Sequence, residues 1–287
     1  MTGTRKPLLS QTLLAGRAAL GVNHLPLMAQ HWIRYKHQGK IGFGVLEGET
    51  IAVHEGEMFE GPARTSGTVK LAEVEVLAPC EPSKMIGLVN NFHALLTKLG
   101  QPVPEEPLYF LKAPSAFMGA GGTIEQPKFY SGRVVFEGEL GIVIGKRCKD
   151  VGEAEALSYV LGYTCVNDVT GFDVLNKDPQ FAQWARSKSY DTFGIFGPVI
   201  ASGLDPAGLT IRSMLAGEER QNYPVSDMVF GPARLVSAIS RDMTLLPGDV
   251  IACGTSVGAG RMKPGSTIEI VIDGIGTLSN SFAGETA

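Results

Sequence analysis

The chain has 287 residues, with 25 basic and 29 acidic side chains and a formal net charge of −4 at pH 7. This balance gives no general affinity for nucleic acid, and no apolar run reaches the ~20 residues that a membrane-spanning helix needs. The cysteines lie far apart and form no CxxC pair, so we expect buried, reduced thiols in the cytoplasm; they are Cys80, Cys148, Cys165 and Cys253.

The first segment of the chain is basic. Residues 1–46 carry six lysines and arginines and no acidic residue, and residues 8–20 could form an amphipathic helix. Leaders of this kind can be transit peptides, which would place the protein in an organelle. The alternative that we prefer is an N-terminal extension over residues 1–27 without a function of its own, with Met28 opening the core protein.

Residues 28–82 are expected to form a small β-rich domain. Residues 41–46 and 50–53 flank a Glu-Gly-Glu turn and indicate a hairpin, and residues 71–79 alternate as a further strand would. Prolines at positions 79 and 82 then mark a boundary, so that residues 83–287 would form the catalytic domain.

The rest of the chain is dense in turns, as its 36 glycines suggest, and predicts short strands with few helices. We expect helices over residues 92–100, 153–160 and 231–243, and a closing hairpin over residues 265–279. The first of these helices, with the loop after it, could close as a lid over a site.

Two glutamates stand two residues apart in a predicted strand over residues 134–144. Side chains alternate along a strand, so Glu137 and Glu139 would share one face. Adjacent carboxylates in apolar surroundings repel each other and lose hydration, and a divalent cation such as Mg²⁺ or Mn²⁺ resolves both problems. The alternative is a solvated strand edge without an ion. Asp168, at the end of a predicted strand, is the best third ligand, although Asn-Asp pairs are also common in turns.

Three further features could complete a site. Lys188 could bind a substrate carboxylate or stabilise an enolate, although a lysine standing alone is usually exposed. His93 is the only histidine beyond the N-terminal domain and suits proton transfer, or is simply an exposed helical histidine. The glycine-rich loop over residues 254–260 lacks a nucleotide-binding pattern. Its amides and Thr255 could hold a carboxylate, unless the loop is an ordinary turn.

Taken in order, motifs across residues 84–282 resemble the fumarylacetoacetate hydrolase family. They are residues 86–88, His93, residues 107–115, residues 137–140 with 144–146, residues 162–164 with 167–170, residues 188–193, and residues 246–249 with 254–255. The resemblance implies a mainly β fold, a mixed β-roll or sandwich with few short helices and a small N-terminal α+β module, assembled as a homodimer. It also implies Mg²⁺ or Mn²⁺, with Ca²⁺ as a further option, held by Glu137, Glu139 and Asp168.

The resemblance extends to function, because family members act on 2-oxo or 2,4-dioxo acids by C–C hydrolysis, decarboxylation or isomerisation. Lys188 matches the family's active-site lysine, His93 a lid histidine that activates water, and Thr255 a threonine that contacts the substrate carboxylate. Lys112 and Gly254 are further expected substrate contacts. We therefore expect a metal-dependent hydrolase that cleaves a C–C bond in an acylpyruvate-like acid, in the catabolism of aromatic or sugar-derived acids.

The chain departs from the family pattern around the expected pocket. Phe172 and Leu175 stand where the family usually has arginine and glutamine, and Leu96 stands where several members carry a glutamate that pairs with the histidine. These changes predict a less anionic or more apolar substrate. They also keep two alternatives open: a decarboxylase or keto–enol isomerase on the same metal centre, and a weakly active protein that binds a metal or ligand.

Overall fold

The computed structural model describes residues 29–284. The predicted extension over residues 1–27, and its helix, lie outside the described residues. The five α-helices in the described part are α1 His93–Leu99, α2 Glu153–Ala156, α3 Phe172–Leu175, α4 Trp184–Lys188 and α5 Pro232–Asp242. None of the helices within residues 29–284 is both long and apolar enough to span a bilayer.

Strands dominate the same residues, which confirms the predicted mainly β fold with few short helices. The first ten are β1 Gln30–His37, β2 Lys40–Glu47, β3 Thr50–Glu55, β4 Ala63–Lys70, β5 Glu75–Val76, β6 Met85–Val89, β7 Leu108–Lys112, β8 Phe117–Met118, β9 Thr123–Ile124 and β10 Val134–Phe136. The others are β11 Gly138–Ile144, β12 Val160–Asp168, β13 Thr170–Gly171, β14 Gly194–Ser202, β15 Thr210–Leu215, β16 Glu218–Pro224, β17 Val250–Ala252, β18 Gly260–Arg261, β19 Thr267–Ile272 and β20 Gly276–Phe282.

One twelve-stranded sheet runs through the molecule in the order β4-β3-β2-β1-β14-β12-β11-β17-β6-β7, with β5 beside β1 and β8 beside β14. The predicted N-terminal hairpin is confirmed as β2 and β3. Its neighbour β1 pairs with β14, so the N-terminal strands extend the main sheet instead of forming a separate one. The division of the chain at residue 82 stays a prediction.

Apolar side chains cover both faces of the central strands. Leu140 and Ile142 of β11 join a core cluster with Ile268 and Ile270 of β19, in the five-stranded sheet β16-β15-β19-β20-β9. Side chains on the other face of these strands form a second cluster, in which Val143 of β11 packs with residues of β14 and β17. The central strands are therefore buried on both sides, which excludes water from any polar group that they carry.

Some predicted elements differ from the structure. The predicted strand over residues 71–79 is wrong: residues 71–73 form a single 3₁₀ turn and only β5 is extended. Along that edge of β1, β14 pairs with residues 30–32 and β5 pairs only with Tyr35 and Lys36. The helix predicted over 153–160 ends at Ala156, whereas the helices predicted over 92–100 and 231–243 are confirmed as α1 and α5, and the closing hairpin as β19 and β20.

A buried carboxylate ties the turn before β17 to the start of β6. Asp249 is fully buried and accepts backbone N–H bonds from Ser83 at 3.1 Å, Lys84 at 3.2 Å and Leu246 at 2.8 Å. It also accepts from the Ser83 hydroxyl at 2.6 Å and the Lys84 ammonium at 2.5 Å. These bonds fix the register in which β17 and β6 run parallel beside β11.

Asp249→Ala should lower the free energy of unfolding by about 3 kcal/mol, because several N–H donors and an ammonium lose their acceptor. Equilibrium chemical denaturation measures the change. Glu75→Ala is the control, since its ion pair with Lys36 at 3.8 Å is exposed and contributes little. Equal losses in the two variants would contradict the role given to Asp249.

Candidate active site and metal centre

Three carboxylates converge where β11 and β12 lie side by side. Glu139 is on β11, Asp168 ends β12, and one oxygen from each lies within 4.8 Å of one from Glu137. Glu139 pairs with Val166 across the two strands, so Asp168, two residues further on, leaves the same face of the sheet. The structure thus brings the three predicted ligands together, and their binding of a metal stays a prediction.

Glu137 reaches this cluster from a break in the chain. The predicted continuous strand over residues 134–144 is wrong, because β10 ends at Phe136 and pairs in a different sheet from β11. The Glu137 N–H donates to the Asn167 side-chain oxygen at 3.1 Å, and its carbonyl accepts from the Asp168 N–H at 2.9 Å. The Thr170 hydroxyl donates to Glu137 Oε1 at 2.6 Å. These bonds hold the residue at the junction of two sheets.

The surroundings of Glu139 give the best test of whether the site fits a metal ion. The side chain is fully buried, and Oε2 accepts the Gly254 N–H at 2.8 Å. Oε1 has no hydrogen-bond partner within the described part of the chain. Burial raises the pKa of Glu139 well above its ordinary value, and the charges of Asp168 and Glu137 raise it further. An unpartnered buried oxygen beside two other carboxylates fits a hard divalent cation such as Mg²⁺ or Mn²⁺.

Two buried lysines balance most of this negative charge. Lys188 Nζ donates to Asp168 Oδ2 at 2.6 Å and Glu137 Oε2 at 2.8 Å, and Lys112 donates to the other Asp168 oxygen. Burial alone would raise the pKa of Asp168, but the two ammonium groups lower it below its ordinary value. The same carboxylates raise the pKa of Lys188 against the effect of burial. With all groups ionised, the cluster keeps one negative charge in excess.

A cavity of about 440 Å³ opens above the cluster. Its lining beside the carboxylates is polar: Glu137, Thr170, Lys188 and Thr255. Its walls are largely apolar and aromatic: Leu88, Leu95, Phe110, Phe172, Leu175, Trp184 and Val257. Exposed basic side chains lie at the opening: Lys98, Arg133 and Arg261. The arrangement suits a molecule with a polar inner end and an apolar middle.

The predicted substrate contacts occupy different places. Thr255 lines the cavity, and its hydroxyl donates to the Gly138 carbonyl at 3.1 Å. Lys112 and Gly254 are not among the lining residues, since both lie behind the carboxylates that they hold. In this structure, therefore, Lys112 and Gly254 position Asp168 and Glu139 instead of facing the cavity, and substrate binding by either stays a prediction.

His93 stands apart from the carboxylates. It is exposed in the first turn of α1, and it does not line the cavity, although Leu95, Lys98 and Leu99 of the same helix do. Leu96, in the place of the family's glutamate, is buried. The predicted role of His93 as a base would therefore require α1 to move.

Some residues that shape the site gave no signal in the sequence. Gln221 on β16 accepts from the Gly138 N–H at 3.0 Å and the Ser213 hydroxyl at 2.7 Å, and donates to Thr255 Oγ1 at 2.8 Å and the Ser256 carbonyl at 3.1 Å. It thus joins the start of β11 to the glycine-rich loop. Only the pairing of distant strands brings it there, whereas Thr170 could have been noticed two residues after Asp168.

The fold and the site together define a mainly β protein with a carboxylate–lysine centre beside an open cavity. The family model described as fumarylacetoacetate (FAA) hydrolase C-terminal matches residues 84–283, and the one described as Rv2993c-like, N-terminal, matches residues 30–79. The chain belongs to the fumarylacetoacetate hydrolase family.

Relatives with stated activities differ in the reaction that they catalyse. The oxaloacetate tautomerase YisK of Bacillus subtilis is 34% identical over 83% of this chain and 84% of its own. The crystal structure of a 2-hydroxyhepta-2,4-diene-1,7-dioate isomerase from Mycobacterium marinum has a TM-score of 0.81 at 37% identity, covering 88% of this chain and 98% of that one. A maleylpyruvate hydrolase from Sphingobium sp. SYK-6, in complex with manganese(II) and pyruvate, has a TM-score of 0.71 at 27% identity, with the same coverage.

We predict that the protein binds one Mn²⁺ or Mg²⁺ and that Glu139→Gln weakens binding at least about tenfold, because loss of even an outer partner of a metal ligand costs that much. Isothermal titration calorimetry with Mn²⁺ measures the affinity. Glu125→Gln changes an exposed glutamate outside the cluster and should leave the affinity unchanged. Undiminished Mn²⁺ binding by Glu139→Gln would remove this residue from the ligand set.

The same titration should depend on pH. The raised pKa of Glu139 means that its carboxyl keeps a proton to higher pH than an ordinary glutamate, and a metal must displace that proton. The affinity for Mn²⁺ should therefore increase as the pH rises from mildly acidic to neutral. An affinity that does not change over this range would show that the carboxyl is already ionised.

Proposed function

We propose that this protein is a divalent-metal-dependent enzyme that interconverts keto and enol forms, or double-bond isomers, of a 2-oxo acid. The observation that carries the proposal is the position of the Lys188 ammonium between Glu137 and Asp168 at the floor of the cavity, beside the unpartnered oxygen of Glu139. We favour Mg²⁺ or Mn²⁺ because all three carboxylates are hard oxygen donors.

The charge of the cluster supports an anionic substrate. With all five groups ionised, the three carboxylates and two lysines carry one negative charge in excess, and a divalent cation would change this to one positive charge. A substrate carboxylate then neutralises the centre, whereas a neutral ligand leaves a buried charge uncompensated. The apolar walls, including Phe110 stacked on Trp184 at 5.3 Å, would contact the rest of the substrate.

Bound at the three carboxylates, the metal ion would supply Lewis-acid polarisation of the 2-oxo group. Lys188 holds its protons at Nζ, next to the place where that oxygen would lie, and its positive charge stabilises negative charge developing there. Glu137 and Asp168 fix the ammonium in direction, so little reorganisation accompanies the development of that negative charge. Thr170 orients Glu137, and Gln221 orients the loop that carries Thr255. Lys188, Asp168 and Thr170 are themselves buried, which limits the access of water to them.

We place isomerisation ahead of the C–C hydrolysis that we expected from the sequence because of His93. Hydrolysis needs a base that activates water, and His93 is exposed, outside the cavity and without a glutamate at position 96 to orient it. Keto–enol exchange needs no such water. The relatives named as a tautomerase and an isomerase are also more similar to this chain than the hydrolase is.

Hydrolysis of a 2,4-dioxo acid is the second candidate. It is supported by the position of His93 on α1, a helix that already lines the cavity through Leu95, Lys98 and Leu99. Closure of this helix would carry the imidazole toward the cavity floor. Decarboxylation, assembly as a homodimer and a cytoplasmic location stay predictions.

The decisive assay compares metal-free and Mn²⁺-loaded protein on oxaloacetate and a series of acylpyruvates, with products identified by mass and by enol absorbance. We expect metal-dependent keto–enol exchange without cleavage. Release of pyruvate and a carboxylic acid would select the hydrolase, and release of CO₂ the decarboxylase. Metal binding without any turnover would overturn the proposal and leave a binding protein.

Lys188→Met should lower kcat by roughly 10²–10³-fold, as removal of one preorganised donor to a developing charge does, and should change KM less. His93→Ala should leave isomerisation unchanged, and it should abolish cleavage if the hydrolase is correct. Steady-state kinetics measure both variants, with circular dichroism to verify folding. Lys128→Met, at an exposed position away from the cavity, is the control for loss of a lysine. A Lys188→Met enzyme with normal kcat would rule out the proposed role.

A further inference from the structure

Two arginines line the opening of the cavity, at the end away from the carboxylates. Arg133 immediately precedes β10, and Arg261 ends β18. The antiparallel register sets Arg261 opposite Val135, which also lines the cavity. Residues two apart on a strand share a face, so Arg133 belongs to the same face as Val135 and Arg261. The strand geometry thus directs both guanidinium groups toward one side of the opening.

Arg133 is held in position at both ends. Its carbonyl accepts from the Phe172 N–H at 3.0 Å and the Tyr130 hydroxyl at 2.8 Å. Its guanidinium lies 4.3 Å from the centre of the Phe172 ring, and Nε and Nη2 donate to Asp173 Oδ1 at 2.9 and 2.5 Å. These bonds leave Nη1 for another acceptor. Such a fixed, stacked guanidinium is preorganised to bind a carboxylate.

The opening keeps an excess of positive charge. Hydrogen bonds from Arg133 lower the pKa of Asp173, and the charge of Arg261 lowers it further, so both arginines act on one carboxylate. Arg261 takes part in none of the ion pairs among residues 29–284 that involve an arginine. Two guanidinium groups therefore face one acidic group, and Lys98 of α1 adds a third positive charge at the same opening.

We propose that Arg133 and Arg261 bind a carboxylate at the far end of the substrate and so determine specificity. The inference rests on the proposed function, which places the 2-oxo acid end at the metal centre. Arg133 lies four residues before Glu137, so at an extended rise of about 3.3 Å per residue their Cα atoms are at most roughly 13 Å apart, and a chain of several carbon atoms can join the two ends. The apolar walls formed by Phe110, Trp184 and Leu175 match that spacer.

This proposal differs from the less anionic substrate that Phe172 and Leu175 led us to expect. Both residues line the cavity, as expected for replacements of substrate-binding groups. However, the ring of Phe172 supports a guanidinium that comes from a distant part of the chain. The aromatic residue thus serves as the platform for a cation, so the opening remains basic.

The test compares two ligands of equal chain length, 2-oxoheptanedioate and 2-oxoheptanoate, which differ only in the distal carboxylate. Isothermal titration of the Mn²⁺-loaded full-length protein gives the ratio of their dissociation constants. We expect the diacid to bind at least about tenfold more tightly, as for a charge-assisted hydrogen bond. Arg261→Gln should bring the ratio close to one. Arg133→Lys, which keeps the charge but not the fork, should reduce it.

Arg212→Gln is the matched control, because that arginine pairs with Asp273 at 2.9 Å and does not line the cavity. It should keep the wild-type ratio. Equal binding of the two ligands by the wild-type protein would overturn this inference while leaving the proposed function intact. Binding of neither ligand would overturn both. A ratio that survives in Arg261→Gln and in Arg133→Lys would assign the distal carboxylate to other residues.

Discussion

Burial of like charges is the constraint on which the rest of this structure depends. One carboxylate oxygen from each of Glu137, Glu139 and Asp168 lies within 4.8 Å of the others. The two central apolar clusters shield this region from water. Carboxylates so arranged are tolerated only if cations lie among them. Lys112 and Lys188 supply part of the positive charge that these carboxylates require. The remaining imbalance is the reason for expecting an external cation at this site.

The fold supplies this cluster by placing distant segments side by side. The strands that carry Glu139 and Asp168 are neighbours in the middle of the twelve-stranded sheet, and β17, on the other side of β11, leads into the loop with Gly254. Gln221 crosses from the five-stranded sheet to join that loop to β11. Each carboxylate is thus oriented by a backbone amide, a hydroxyl or an ammonium, and rigid elements hold all of these partners.

The sequence was informative where local patterns decide the structure. Alternation and turn chemistry predicted the β2–β3 and β19–β20 hairpins, and the spacing of Glu137 and Glu139 indicated that their carboxylates would meet. It was less informative where pairing between distant strands decides. The break at Glu137 exists because β10 pairs with β13 and β18, which no local pattern encodes.

The same limit applies to individual side chains. Lys112 matched a family motif, yet only the path of the edge strand β7 shows that it lies behind Asp168. The exposure of His93 follows from the orientation of α1, in which Leu96 is buried and His93 faces solvent, and its neighbours in sequence do not indicate this. The sequence did not indicate Arg133 as a site residue, because its guanidinium contacts the Phe172 ring only where the start of β10 and α3 meet.

The continuity of the large sheet has a consequence for solubility. β14 is bordered by β12 on one side and by β1 on the other, and Trp32 of β1 packs in one cluster with Phe196 and Ile200 of β14. Without the N-terminal strands, this border would present bare amide and carbonyl groups beside uncovered aromatic and aliphatic side chains. Such an edge is a template for the strands of other molecules. The N-terminal strands thus protect the folded chain against self-aggregation, while also extending the sheet on which the carboxylates are mounted.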